Sequence, residues 1–372
     1  MFSNSAKRFL RIFLKRNDQS QWSFETHRNI NSTVHQPRKD LKYIEKCHVA
    51  IVGLGGVGKS LAHLLKMYPI GLTELRLCNR SDPQGMIEEL SHIPTKVPIR
   101  GFQGLDKLPA GLRNVDIVVI SAGSSRKKDD NALICMNVVS VCAEVCPHAL
   151  IAIVTNPVDS LVPVAAEVLK KHGVYRREKL FGICHLDQMR AQRFYAEVIG
   201  AEPMKTYVPV VGGHSEFTTV PLFSKSKPHV PLTDDETMNL VQIVRTAGSR
   251  VVQAKKGSGG STYSMASAAM YFVHKLCRAI HHEPHVVISA YVESTVSNSR
   301  FFSNELIIDS TGILKNLGYG KVTDLEHKLI DDAVPILQQQ VAMAEEFVAD
   351  NCGFLCICDK LNRAKIYKKD II

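Results

Sequence analysis

Residues 48–58, HVAIVGLGGVG, restrict the fold more than any other stretch of the chain. Val49, Ala50, Ile51 and Val52 form a short apolar run rich in β-branched residues, as expected of a strand covered on both faces. The run breaks at Gly53, with Gly55, Gly56 and Gly58 close behind, and Leu61, Leu64 and Leu65 then recur at helical spacing. A strand, a glycine turn and a helix in that order give the G-x-G-x-x-G spacing a physical meaning. Gly53 admits the tight turn, Gly55 lets the backbone approach a pyrophosphate, and Gly58 lets the helix settle on the strand. Phosphate oxygens would meet the free N–H groups of the helix N-terminus, where the dipole favours negative charge.

The chain goes on alternating. Residues 74–78 (ELRLC), 116–122 (DIVVISA) and 149–155 (ALIAIVT) read as further buried strands, and residues 85–93, 133–146 and 162–172 as helices. This βαβ alternation predicts a doubly wound parallel sheet with helices on both faces, which binds ligands at the carboxyl ends of its strands. Gly53, Ala122, Gly123 and Asn156 fall at such ends. After residue 190 the pattern changes. Residues 207–211 and 218–223 read as paired strands around a turn at Gly212, Gly213 and His214. Helices are expected over 234–255 and 262–281, strands over 285–293 and 304–309, and a long helix over 323–349. The expected class is therefore α/β, a doubly wound sheet followed by an α+β domain. The division is 1–46 for a basic N-terminal segment and linker, 47–190 for dinucleotide binding, 191–349 for substrate and catalysis, and 350–372 for a C-terminal extension.

Charge is unevenly spread. Residues 1–46 hold ten Lys/Arg against four Asp/Glu, so +6 of the net +10 lies there. The first 16 residues, MFSNSAKRFLRIFLKR, have no acid and interleave apolar and basic residues, the pattern of a mitochondrial transit peptide. The remaining 326 residues carry only +4 and no nucleic-acid-binding motif. No apolar run reaches the roughly 18 residues that span a bilayer. Of the ten cysteines, Cys135, Cys142, Cys146 and Cys277 sit in apolar settings that fit buried thiols of a reducing compartment. Cys352, Cys356 and Cys358 lie close together without an evident fourth ligand, so no metal site is expected.

The polar residues suited to chemistry converge. Asp187 and Arg190 are three apart in HLDQMRAQRF, on one face of a helix. His214 follows two glycines on a loop, and a histidine near neutrality can donate or accept a proton. A carboxylate on its second nitrogen would fix the tautomer and stabilise the imidazolium; Asp187 is the candidate. Arg126, just past a strand end, could grip an acid substrate with its bidentate fork.

Taken together, residues 47–349 resemble the malate/lactate dehydrogenase family, in its mitochondrial malate dehydrogenase branch. The resemblance rests on VAIVGLGGVGKSLAHLLK, EELSHI, VDIVVISAG followed by SRK, IVTNPVDSLVPVAAEVLKKHGVY, KLFGICHLDQMRA, VPVVGGHSE and YSMASA in that order. It implies a Rossmann domain and a substrate domain, a homodimer or tetramer, and hydride transfer between C2 of the substrate and C4 of NAD. It implies NAD-dependent oxidation of malate to oxaloacetate, a tricarboxylic acid cycle reaction, in the mitochondrial matrix. By the same resemblance His214 is the acid/base, Asp187 its partner and Arg190 the carboxylate binder. Arg126 selects a dicarboxylic acid, Asn156 and Asn137 lie at the substrate, and Asn156 also reaches the nicotinamide ribose. Gly53, Gly55, Gly56, Gly58, Asn79 and Met265 line the cofactor.

Three departures accompany the matches. Asn79 stands where an acid would hold the adenosine ribose, with Arg80 beside it, which makes NADP an alternative to NAD. The loop after Arg126 is about two residues short and lacks the family's second arginine. Lys127 and Lys128 are point charges rather than forks, and Asp129 and Asp130 would repel a dianion. Glu216 replaces a small residue just after His214. The alternatives are a related 2-hydroxy-acid dehydrogenase with another substrate or NADP preference, and a non-catalytic paralogue that keeps the fold.

Overall fold

A computed structural model describes residues 46–123 and 128–351. The N-terminal basic segment, Arg126 with its neighbours 124–127, and the cysteines of the C-terminal extension lie outside the described residues. The first half runs β1 (His48–Val52), α1 (Gly56–Met67), β2 (Glu74–Asn79), α2 (Gln84–Ser91), β3 (Ile99–Gln103), α3 (Leu108–Leu112), β4 (Ile117–Ile120), α4 (Lys128–Val145), β5 (Leu150–Ile153), α5 (Val158–Lys171) and β6 (Leu180–Gly182). The second half runs α6 (His185–Ile199), β7 (Val210–Gly212), β8 (Thr219–Pro221), α7 (Asp234–Arg245), α8 (Ala247–Ala254), α9 (Tyr263–Ile280), β9 (Val286–Glu293), β10 (Phe301–Asp309), β11 (Gly312–Gly318) and α10 (Asp324–Asp350).

The first six strands are parallel in the order β3-β2-β1-β4-β5-β6. The winding reverses between β1 and β4, which opens a crevice at their carboxyl ends. The apolar runs read from the sequence divide by residue parity, as a doubly covered sheet requires. Ala50, Val52, Val118, Ile120, Ile151 and Ile153 join one core with α3, α4, α5 and α10. Val49, Ile51, Ile117, Val119, Leu150 and Ala152 join the opposite core with α1 and α9.

The second half is continuous with this sheet. β9 pairs antiparallel with β6 at Gly182 and Tyr291, and β10, β7 and β8 follow antiparallel, with β11 on β10. The hairpin expected around Gly212–His214 is β7–β8. Four short elements had no signal strong enough to anticipate. β3 is a mostly solvated edge strand interrupted by Gly101, β6 is three residues long, and α3 and β11 are short or polar. The single helix expected over 234–255 is two helices, broken at Thr246 ahead of Gly248.

α5 begins four residues earlier than its apolar spacing indicates, which places Pro163 inside it. Proline cannot donate to the carbonyl four residues back. That carbonyl, of Asp159, instead accepts from the Tyr291 hydroxyl at 3.4 Å. α10 carries a capping box, Thr323 with Glu326, and buries Leu329, Ile330, Ala333, Leu337, Val341, Ala344 and Val348 at spacings of three and four. Among the described residues no helix is long and apolar enough to cross a membrane.

Candidate active site

The glycine turn closes the amino side of the crevice. Gly53 has φ +97°, and a Cβ there would lie 2.3 Å from the Ala122 Cα, so the turns after β1 and β4 touch backbone to backbone. At Gly58 a Cβ would lie 2.0 Å from the Gly53 carbonyl oxygen, so α1 could not seat with any larger residue. Gly55 differs: a Cβ there would meet nothing within 4 Å and would project into open space. Gly55 is also the N-cap of α1, and no acidic side chain occupies the first turn. The first-turn N–H groups therefore have no intrahelical partner, and open space lies beside them at Gly55. A dinucleotide pyrophosphate fits that combination of donors and space. Thr262, just before α9, sits against Gly56, and Met265 follows in the first turn of α9, buried, which brings that helix end to the glycine turn.

Asn79 ends β2 beside this turn. Its Oδ1 accepts from Leu54 N–H at 3.0 Å, and its Nδ2 donates to Ser81 O at 3.1 Å and Ser81 Oγ at 2.8 Å. Both ends of the amide are thus engaged in shaping the turn.

On the far side, α6 and the β7–β8 loop bring the two expected acid–base residues together. His214 Nδ1 lies 2.5 Å from Asp187 Oδ2. Asp187 occupies the first turn of α6, where the helix dipole favours its charge, and is 4% exposed. Burial opposes the charge on each partner. The attraction and the hydrogen bond outweigh it, holding His214 well above the ordinary histidine value and Asp187 below the ordinary carboxylate value. Nearby His185 shows what happens without a carboxylate: burial and the Lys275 charge press it down to about 4. Asp187 fixes the proton on Nδ1 of His214, leaving Nε2 as the nitrogen able to exchange one with a substrate. Arg190, one turn along α6, donates from Nη1 to Asp187 Oδ1 at 3.2 Å and from Nη2 to Ser261 Oγ at 2.9 Å.

Asn156 stands exposed at the end of β5, and its carbonyl accepts from Asn131 Nδ2 at 2.9 Å. Asn131, buried in the first turns of α4, also approaches Gly123. Asn137 lies elsewhere on α4, about 9 Å further along its axis and about 120° around it. Among the described residues no hydrogen bond ties Asn137 to this cluster, so Asn131 is the α4 asparagine that the fold brings to the strand ends. Glu216 is exposed at the loop tip beyond His214. Among the described residues no group of His, Cys, Asp or Glu could hold a metal ion.

Besides Asn131, two residues at the site carried no signal in the pattern. Asp159, on the first turn of α5, accepts the His214 backbone N–H at 2.7 Å and the Thr218 hydroxyl at 2.9 Å. Ser261 reaches Arg190 from the segment before α9.

Family profiles match nearly all of the described chain. Residues 47–182 match the lactate/malate dehydrogenase NAD binding domain, and residues 184–348 the lactate/malate dehydrogenase α/β C-terminal domain. The chain belongs to the lactate/malate dehydrogenase family. It is 41% identical over 309 residues to the mitochondrial malate dehydrogenases of Homo sapiens and Sus scrofa, covering 81% of this chain and 91% of theirs. Its fold is similar to that of Cryptosporidium parvum malate dehydrogenase, with TM-score 0.71 and 23% identity over 81% of this chain and 100% of that one. It is also similar to that of Eimeria maxima lactate dehydrogenase, with TM-score 0.70 and 19% identity over 82% and 98% of the two chains. Membership makes the protein an oxidoreductase with an N-terminal NAD-binding half.

Proposed function

We propose that the chain is an NAD-dependent malate dehydrogenase that interconverts (S)-malate and oxaloacetate. The observation that carries this reading is the buried His214–Asp187 pair beside Arg190 in a chain of this family. NAD, when bound, supplies the hydride acceptor at nicotinamide C4, and NADH the donor. The glycines at 53, 55, 56 and 58 would hold its pyrophosphate, and Asn79, Asn156 and Met265 would border its other parts. In malate oxidation, neutral Nε2 of His214 takes the C2 hydroxyl proton, and Asp187 stabilises the resulting imidazolium. In reduction, the protonated imidazole hydrogen-bonds the oxaloacetate carbonyl and gives that proton back. Arg190 grips the C1 carboxylate, and Arg126, by resemblance, the distal one that distinguishes a dicarboxylate from lactate. Asn131 is the better candidate than Asn137 for a polar contact at the substrate end, through its bond to Asn156.

The loop after Arg126 lacks a second arginine, and losing such an electrostatic stabiliser costs about 100-fold in rate. We therefore expect a slow enzyme. The acid-poor basic N-terminus, together with relatives named mitochondrial, supports a place in the mitochondrial matrix and a role in the tricarboxylic acid cycle. A homodimer is the expected assembly, and light scattering that gave the mass of one chain would refute it.

Asn79 favours a second reading for the cofactor. An amide already bonded to Leu54 and Ser81 offers the ribose no carboxylate, and Arg80 beside it suits a 2′-phosphate. The deciding assay measures kcat/KM for oxaloacetate and for pyruvate, each with NADH and with NADPH. Malate dehydrogenase predicts oxaloacetate preferred over pyruvate by about 100-fold or more, the worth of an unpaired buried charge in one complex and a fork in the other. Preference for pyruvate or another 2-oxo acid would make the chain a different dehydrogenase. No turnover with either cofactor in a folded preparation would make it a non-catalytic relative.

A further inference from the structure

Beneath the acid–base pair lies a second buried carboxylate that the reaction as written does not use. Asp159 is 5% exposed, on the first turn of α5, where the helix N-terminus favours negative charge. Its two oxygens are divided between two donors of the catalytic loop: Oδ1 takes the backbone N–H of His214 itself, and Oδ2 the hydroxyl of Thr218. Thr218 in turn accepts the Ser215 N–H at 3.0 Å, and Gly213 N–H donates to the Thr218 carbonyl at 2.9 Å. A Cβ at Gly213 would lie 2.7 Å from Asp159 Oδ2, so only glycine lets the carboxylate come this close. The loop is thus held at both ends of one residue, the ring of His214 by Asp187 and its backbone by Asp159.

We propose that Asp159 is a positioning residue for His214, fixing the backbone from which the imidazole projects and placing a second negative charge behind it. This inference rests on His214 being the acid/base. The charged and titratable groups around the imidazole are Asp187 and Arg190 on α6, Cys184 before it, and Asp159 on α5. Arg190 already neutralises part of Asp187, whereas among the described residues no arginine or lysine hydrogen-bonds or ion-pairs with Asp159. Burial holds the Asp159 carboxyl above the ordinary carboxylate value, and the His214 charge, its N–H and the Thr218 hydroxyl offset only part of that; the attraction to His214 favours the charged form of each group. Two donors, one on each oxygen, match an ionised carboxylate, which only accepts.

Asp159→Asn separates the two effects. The amide keeps an oxygen for the His214 N–H, and Thr218 can turn its hydroxyl to accept from the new NH2, so geometry stays while the charge goes. The His214 imidazole is titrated by NMR in the cofactor-free chain with 13C-labelled histidine, its signal assigned from His214→Gln. We expect its midpoint to fall by roughly one pH unit in Asp159→Asn. The rising limb of kcat/KM for malate should move to lower pH by the same amount, with kcat on its plateau held within a few-fold. Asp159→Ala, which also removes the backbone anchor, should lower plateau kcat about 10-fold or more while KM changes less. A purely structural carboxylate would lower the yield of active protein and leave the titration midpoint where it was. An unchanged midpoint in Asp159→Asn overturns the proposal, whatever happens to activity. Absence of turnover in the wild-type chain would instead overturn the proposed function, because the imidazole titration is read without substrate.

Discussion

At His214 and Asp187 the chain spends buried polar surface on one proton. Both side chains are at most about one-tenth exposed, so breaking the pair leaves a buried partner uncompensated, a loss of about 3–5 kcal/mol in comparable pairs. The pairing also dictates a pH response with opposite signs at its two ends. His214 is raised in the folded chain, so its contribution is complete below the unfolded value near 6.5 and is lost as pH rises through the folded value. Asp187 is lowered, so its contribution is complete above about 3.9 and is lost as pH falls through its depressed value. Denaturant midpoints of the wild-type chain should therefore decline on the alkaline side of about pH 6.5, and the decline should flatten in His214→Gln. Parallel curves for the two proteins would mean that the pair is not coupled to folding. Cofactor choice is argued at one residue too. Asn79→Asp should strengthen NADH binding relative to NADPH by about 10-fold or more, measured by isothermal titration calorimetry, because a carboxylate accepts from ribose hydroxyls and repels a phosphate. A ratio that does not move would remove Asn79 from the adenosine end. That His214, Asp187 and Arg190 meet was legible in the sequence, because their residue types and spacing suit an acid–base pair beside an arginine. Asp159 and Asn131 were not, since one carboxylate and one amide in helices look like any solvated pair until the loop that meets them is in place.

The elements show why the acid–base loop stays put. α10 packs Leu337 behind it: the Leu337 Cδ2 would lie 2.7 Å from a Cβ on Gly213, and the side chain is fully buried. Leu337→Ala should cost about 2–5 kcal/mol in chemical denaturation, through lost burial and the cavity left behind. Met343→Ala on the same helix, 54% exposed, should change stability by about 0.5 kcal/mol or less. Equal effects would mean that α10 does not bury the face it presents in the fold. Arg300 fastens the same region, donating to Glu167 on α5, Glu293 on β9 and Glu345 on α10. The parallel strands β1, β2, β4 and β5 and the helix α10 were readable because their apolar positions fill a short run or repeat over several turns. β3, β6 and the break at Thr246 were not. An edge strand half in water has no alternation to detect, and three residues are too few for any period.

Across the whole molecule, one sheet carries both sides of the proposed site. Its parallel part sets the glycine turn at the winding reversal, and its antiparallel part hangs the His214 loop from β7 and β8. β6 and β9 pair at Gly182 and Tyr291, and Tyr291 also reaches the Asp159 carbonyl left free by Pro163. The parallel and antiparallel parts of the sheet are thereby joined directly. The central claim is that a proton at His214 moves in step with a hydride at the cofactor. The most direct test is the rate of NADH oxidation by oxaloacetate in the wild-type chain and in His214→Gln, with NADH binding measured on both. The account predicts measurable turnover in the wild type, a loss of about 100-fold or more in the variant, and NADH affinity unchanged within a few-fold. A variant that keeps most of the wild-type rate would contradict it.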